Sequence, residues 1–274
     1  MRRRITDWNA VYDNTPAIPD GASWPGRWVA PAAEFRATMG ERARLGLAYG
    51  PGPRHRLDLF LPEGAPRGLV VFVHGGFWMG LDRSQWSHLA AGPLAHGWAA
   101  AIPEYTLCPQ IRIAGITREV AAAIARAAEE VAGPILLAGH SAGGQLVSRM
   151  ACADSPLAEP LGQRLGRILS LSGLHDLRPL RQTWRQETLR IDAAEALAES
   201  PALLAPRPGT RILCWVGGSE TSEFRRQSAL LASVWLGLGA ETESVEEPDR
   251  HHFNVVDGLS DPDHPLVGAW LAGA

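Results

Sequence analysis

The stretch Pro134-Ile135-Leu136-Leu137-Ala138-Gly139-His140-Ser141-Ala142-Gly143-Gly144-Gln145-Leu146-Val147 passes from an apolar segment, through a glycine-flanked serine, into a second segment with apolar spacing. It predicts a strand, a sharp turn and a helix, with Ser141 at the apex. A serine hydroxyl is a weak nucleophile until it is held out beside a base, and a strained strand-to-helix turn presents it that way. Such a turn brings strand and helix close together, so its flanks must be small. Here they are Gly139, Ala142, Gly143 and Gly144.

Upstream, Leu69-Val70-Val71-Phe72-Val73 is a continuous apolar run of the kind buried on both faces of a parallel sheet. It ends in His74-Gly75-Gly76-Phe77-Trp78. Paired glycines after a buried strand let the backbone approach a ligand with its N–H groups pointing inward. Together with the N–H of the residue after the serine, such groups would stabilise the oxyanion of a tetrahedral intermediate. Gly75, Gly76 and Ala142 are therefore the expected oxyanion donors. Phe77 and Trp78 are expected to line the substrate pocket, and Tyr105 to face it from beyond the strand that ends at Ile102.

The serine needs an imidazole, and the imidazole needs a carboxylate that fixes its tautomer. Behind such a turn the chain order is serine, acid, histidine. His175, His251, His252 and His264 follow Ser141, and the loop after the last predicted strand carries His251 and His252. His252 is the expected base, with His251 as the alternative, and His264 is expected at the surface or in a helix cap. The acid is expected after the strand Arg211–Val216, at Glu220 or Glu223. Ser222-Glu223 reads as the cap and first turn of a helix, so Glu220 is taken and Glu223 kept as the alternative. Asp176 ranks behind both. His140 is expected to make structural hydrogen bonds, and His74 to brace the glycine loop. Adjacent histidines with no acidic partner at ligand spacing do not suggest a metal site.

The chain has 274 residues, 46% of them hydrophobic, with a net charge of −3. That suits one large α/β domain with a sizeable core. All 26 basic residues are arginine, because the chain contains no lysine. The missing amine excludes a pyridoxal Schiff base and a Walker-type phosphate loop, so no cofactor is expected. No basic block follows Arg2-Arg3-Arg4, which argues against nucleic acid, and no apolar run has the length of a membrane span. The start has no signal-peptide core, and Cys108, Cys152 and Cys214 are scattered and odd in number, as buried thiols in a reducing compartment would be. The expected location is the cytoplasm. The expected partner is a small-molecule substrate, and a homodimer is the other association expected.

Residues 1 to about 44 are rich in Trp, Pro and Gly, have weak periodicity, and are expected to pack over the site. Leu45–Gly50 and His55–Leu61 predict an antiparallel hairpin across Pro51-Gly52-Pro53. From Leu69 onward strands alternate with helices: strands at Trp98–Ile102, Ile168–Leu171 and Thr242–Val245, helices at Ile116–Val131, Ala142–Cys152, Glu223–Leu236 and Pro265–Leu271. That alternation predicts a mostly parallel central sheet with helices on both faces. Residues from about 174 to 204 form a longer insertion, read as a small cap.

With these motifs in place, the chain resembles the kynurenine formamidase (arylformamidase) branch of the α/β-hydrolase superfamily, close to the hormone-sensitive-lipase-like esterases. The resemblance rests on His74-Gly75-Gly76-Phe77-Trp78, Gly139-His140-Ser141-Ala142-Gly143-Gly144, Leu171-Ser172-Gly173-Leu174-His175-Asp176-Leu177, Val216–Phe224 and His252-Phe253. It implies an α/β-hydrolase fold, Ser141 as nucleophile, His252 as base because phenylalanine follows it, and an acid at position 220. The family usually has aspartate where this chain has Glu220. The expected activity is hydrolysis of an aryl formamide, such as N-formylkynurenine, or of a small carboxylic ester through an acyl-enzyme. A general short-chain carboxylesterase and a hydrolase-like ligand-binding protein with negligible turnover are the competing readings. An acyltransferase or cofactor-free haloperoxidase on the same residues would differ only in what attacks the acyl-enzyme.

Overall fold

The computed structural model describes residues 4–272. Residues 1–3 and 273–274 lie outside them, so of the arginine run only Arg4 is described. The hairpin forms as β1 (Ala43–Ala48) and β2 (Arg56–Phe60), paired antiparallel. The apolar runs become β3 (Leu69–Val73), β4 (Ala99–Pro103), β5 (Ile135–His140), β6 (Leu165–Leu171), β7 (Arg211–Gly217) and β8 (Glu241–Glu247). They make one eight-stranded sheet in the order β1-β2-β4-β3-β5-β6-β7-β8, parallel from β4 to β8.

Every residue of β3, β4 and β5 is buried, because alternate side chains feed two separate cores. Leu69, Val71 and Val73 enter one core with Ile116, Val120, Leu146 and Leu231, from the helices Ile113–Glu130, Ala142–Met150 and Ser222–Gly237. Val70 and Phe72 enter the other, with Trp28, Trp86 and Trp98, beneath the helix Pro265–Leu271. The outer strand β8 carries Glu241, Glu243, Glu246 and Glu247, a charged edge that resists pairing with another chain.

The turn after β5 has the strain that the sequence implied. Ser141 has φ 57° and ψ −116°, a conformation that costs a non-glycine residue on the order of 1–3 kcal/mol. A Cβ at Gly143 would overlap the backbone of Val73 and His74, so the helix can pass this close to β3 only with glycine there.

The longest helix not expected from the sequence lies near the chain start. Val29–Met39 is a helix, and only Ala32 and Met39 on it are buried, so its apolar residues do not form one continuous stripe. The insertion from Leu174 to Leu204 is a series of short helices, Arg178–Gln182, Gln186–Leu189, Ala193–Ala198 and Pro201–Leu203. Among the described residues no helix is long and apolar enough to cross a membrane.

Candidate active site

The serine turn, the glycine loop, the Glu220 loop and the His252 loop follow β5, β3, β7 and β8, so parallel pairing brings all four to one end of the sheet. The Glu220 and His252 loops are also joined to each other. Gly218 N–H donates to Glu247 C=O at 2.7 Å and Ser219 N–H to Arg250 C=O at 2.9 Å. Across that seam His252 Nδ1 meets Glu220 Oε2 at 2.7 Å. The other carboxylate oxygen, Oε1, accepts from Gly217 N–H at 2.9 Å and from the Ser172 hydroxyl. A carboxylate held at both oxygens keeps Nδ1 as the protonated nitrogen of the ring and leaves Nε2 as the acceptor. Ser141 and His252 line the same cavity.

The two alternatives to these residues are engaged elsewhere. His251 is pinned by its Nδ1, which accepts from Phe253 N–H at 3.2 Å and Asn254 N–H at 3.3 Å, and its ring stands edge-on to Trp24. Glu223 is in the first turn of its helix as expected, but the cap position is Thr221 rather than Ser222. The Glu223 carboxylate is buried and binds Arg226 at 2.7 Å and the Tyr12 hydroxyl at 2.9 Å. Asp176 is ion-paired with Arg178 at 2.8 Å. His264 caps the last helix, accepting from Leu266 N–H through Nδ1.

Around the serine, Gly75 packs so closely that a Cβ there would lie 3.0 Å from Ser141 Cβ. The loop curls through three positive φ values in a row, Gly76 at 100°, Phe77 at 50° and Trp78 at 58°. Gly76 C=O is turned back to accept from Met79 N–H and Gly80 N–H. Among the described residues the N–H groups of Gly76 and Phe77 have no protein acceptor. Ala142 N–H opens the helix after the serine, where the partial positive charge of the helix end favours an anion.

His140, as expected, is structural. Its Nε2 donates to His252 C=O at 2.8 Å, and its ring lies 4.7 Å from that of His252, so the serine turn itself holds the His252 loop. Burial and the neighbouring His252 hold its pKa well below the ordinary histidine value. His74 braces the glycine loop, with Nδ1 donating to Gly75 C=O at 2.8 Å and its ring stacked 4.3 Å from Tyr105.

Two expected pocket residues belong to the scaffold instead. Tyr105 is fully buried and spends its hydroxyl on His74 C=O at 3.0 Å and Gly75 C=O at 3.3 Å, so it supports the loop from beneath. Trp78 is turned into the core by its positive φ, where Nε1 donates to Gln145 Oε1 at 3.1 Å. Phe77 does line the cavity.

The cavity is about 170 Å³, close to the roughly 150 Å³ that accommodates one benzene ring. Much of its wall comes from residues that local motifs do not reveal: Tyr12, Asp13, Asn14 and Trp28 near the chain start, and Arg185 from the 174–204 insertion. The first of these segments is stitched to the Glu220 loop, since Thr221 N–H donates to Asn14 Oδ1 at 2.9 Å and the Thr221 hydroxyl to Val11 C=O at 2.6 Å. It is stitched to the insertion too, by Trp184 N–H donating to Asn9 Oδ1 at 2.8 Å. The only hint in the sequence was the excess of Trp and Pro in a segment without periodicity.

Two buried histidines favour the fold less as the pH falls. Burial pushes His74 down to about 4 and His175 down to about 3. Between those values and the ordinary 6.5, the unfolded chain binds more protons than the folded one, so stability falls as pH falls through this window. His74 alone contributes on the order of 3 kcal/mol across the full window. Urea unfolding at pH 7 and pH 4.5 is expected to show this loss, with a shallower pH slope in His74→Gln. An equal slope in the variant would assign the acid sensitivity to other groups.

With this geometry in view, the comparisons with known proteins agree on the family. Residues 70–271 match the model of the alpha/beta hydrolase family. The kynurenine formamidase of Salmo salar is 30% identical over 250 residues, covering 83% of this chain and 82% of that protein. That of Danio rerio is 28% identical, with the same coverage. A crystal structure from Silicibacter sp. TM1040, provisionally described as a thioesterase, superposes with a TM-score of 0.92 at 46% identity, covering 97% of this chain and 99% of that one. The eight-stranded, mostly parallel sheet and these relatives make the chain a member of the alpha/beta hydrolase family, a hydrolase of the kynurenine formamidase-like kind.

Proposed function

We propose that the chain hydrolyses an aryl formamide or small aryl ester through an acyl-enzyme on Ser141, with His252 as base and Glu220 as its orienting acid. The observation that carries this reading is the 2.7 Å contact between His252 Nδ1 and a doubly held Glu220, beside a cavity that His252 shares with a serine at a strained turn. His252 Nε2 takes the Ser141 proton as Oγ bonds to the substrate carbonyl carbon. The charge that moves onto the carbonyl oxygen is met by the N–H groups of Gly75, Gly76 and Ala142, one such donor being worth about 2.7–4 kcal/mol. Collapse breaks the bond to the leaving amine or alcohol, which takes the proton from His252. Water, deprotonated by His252, then releases formate or another acid and restores Ser141.

A formyl group needs almost no acyl pocket, and the small cavity, walled by Phe77, Trp28, Tyr12 and Phe253, suits an aryl group with a short acyl chain. Steady-state comparison of N-formylkynurenine with p-nitrophenyl acetate, butyrate and octanoate tests this. N-formylkynurenine and acetate are expected to exceed octanoate in kcat/KM by about 100-fold or more, since a chain too long for the cavity must displace its wall. Turnover of the acetyl ester with none of N-formylkynurenine would leave the acyl-enzyme chemistry standing and overturn the formamidase assignment. A short-chain carboxylesterase with no role in kynurenine metabolism is the second reading. Glu220, standing where the resemblance leads one to expect aspartate, favours it.

A further inference from the structure

Among the described residues, three that line the cavity, Arg185, Asn14 and Trp28, carry an enclosed hydrogen-bond donor with no partner, and two of them are strongly polar. Arg185 is only 6% exposed, lines the cavity, and has its Nη1 enclosed without a partner. Its guanidinium lies over the Phe77 ring at 4.0 Å and the Trp184 ring at 4.7 Å, which fixes its plane but neutralises no charge. Asp13 acts on it from the same wall without forming an ion pair, and its Oδ1 takes the Thr15 N–H. Asn14, 5% exposed, is the second. Its Oδ1 accepts from Thr221 N–H, which fixes the orientation of the amide, and its Nδ2 is enclosed with no partner. A buried cation with no carboxylate in contact is costly even with Asp13 nearby, and an enclosed amide donor left unpaired adds to that cost. Both costs fall on one small cavity, and both are relieved by the same kind of group, an anionic acceptor.

We propose that Arg185 and Asn14 form a carboxylate-binding subsite, so that the substrate carries a carboxylate on the part that stays in the cavity while its formyl or acyl carbon meets Ser141. The proposal rests on the hydrolase reading above and sharpens its substrate class to anionic aryl formamides and esters. The guanidinium offers the planar pair of donors that a carboxylate takes up, and Asn14 adds a third. Neither residue takes part in bond making. They position the substrate.

The test uses 4-acetoxybenzoate and its neutral isostere 4-acetoxybenzamide, which share the acetyl group and the scissile bond. The wild-type protein is expected to prefer the carboxylate by about 10–100-fold in kcat/KM. Arg185→Met brings that ratio close to one, Arg185→Lys restores part of it, and Asn14→Ala lowers it by a few-fold. A wild-type ratio near one, or an Arg185→Met variant in which both substrates fall equally, overturns the subsite and leaves Arg185 as a packing residue.

Calorimetric titration of the wild-type protein with benzoate and benzamide gives a readout that needs neither turnover nor a folded variant. Benzoate is expected to bind at least about tenfold more tightly and to compete with p-nitrophenyl acetate. Equal affinities, or benzoate binding that does not compete, count against a substrate carboxylate, the second as a free-anion site. Failure of the hydrolase reading is a different result. None of the three esters is then hydrolysed, or their hydrolysis survives Ser141→Ala, whatever the two titrations give.

Discussion

Ser141→Ala is expected to lower kcat for p-nitrophenyl acetate by on the order of 10⁶-fold, to a residue of turnover that oxyanion donors and binding alone can sustain. The variant keeps the Cβ that packs against Gly75 and loses only the hydroxyl, so its fold and thermal midpoint should match the parent. That pairing of intact structure with lost turnover is what separates a nucleophile from a structural serine. Unchanged hydrolysis would remove the acyl-enzyme mechanism altogether.

His252→Ala should cost a similar factor, on the order of 10⁶, because nucleophile and base act as one unit and their losses do not add. His251→Ala, one residue away, should cost no more than about threefold, since its ring is spent on the turn at Phe253 and Asn254. Glu220→Gln should cost on the order of 10⁴, because an amide can present its N–H to His252 and trap the wrong tautomer. Glu223→Gln should instead loosen the attachment of Tyr12 and act mainly on stability. Steady-state kinetics on the four variants, each checked for folding by circular dichroism, decides both assignments. A loss in His251→Ala with retention in His252→Ala would reverse the first.

Local chemistry explains which parts of this arrangement could be read early. The alternation of buried strands and amphipathic helices from Leu69 onward reports the sheet, since a strand covered on both faces must be apolar throughout. The serine turn is legible because a backbone bent that sharply tolerates only small flanking residues. Phe77, Trp78 and Tyr105 all follow strand ends, yet only Phe77 reaches the cavity. The difference lies in local φ values and in which buried acceptors Trp78 and Tyr105 satisfy, Gln145 for one and the His74 and Gly75 carbonyls for the other. The helix Val29–Met39 is illegible for the opposite reason, its apolar residues being spread around the axis.

The sequence by itself determined the sheet class, the turn that bears Ser141 and the order of the loops that follow it, because each depends on contacts between residues near in the chain. Only the tertiary structure set His252, rather than its neighbour His251, against Glu220, rather than Glu223, and only it assembled the cavity wall from Asn14, Phe77 and Arg185. Those outcomes depend on hydrogen bonds that span from 32 residues, between Glu220 and His252, to 211, between Tyr12 and Glu223. No local pattern encodes a partner that far along the chain, since the pairing exists only once the sheet has brought the strand ends together.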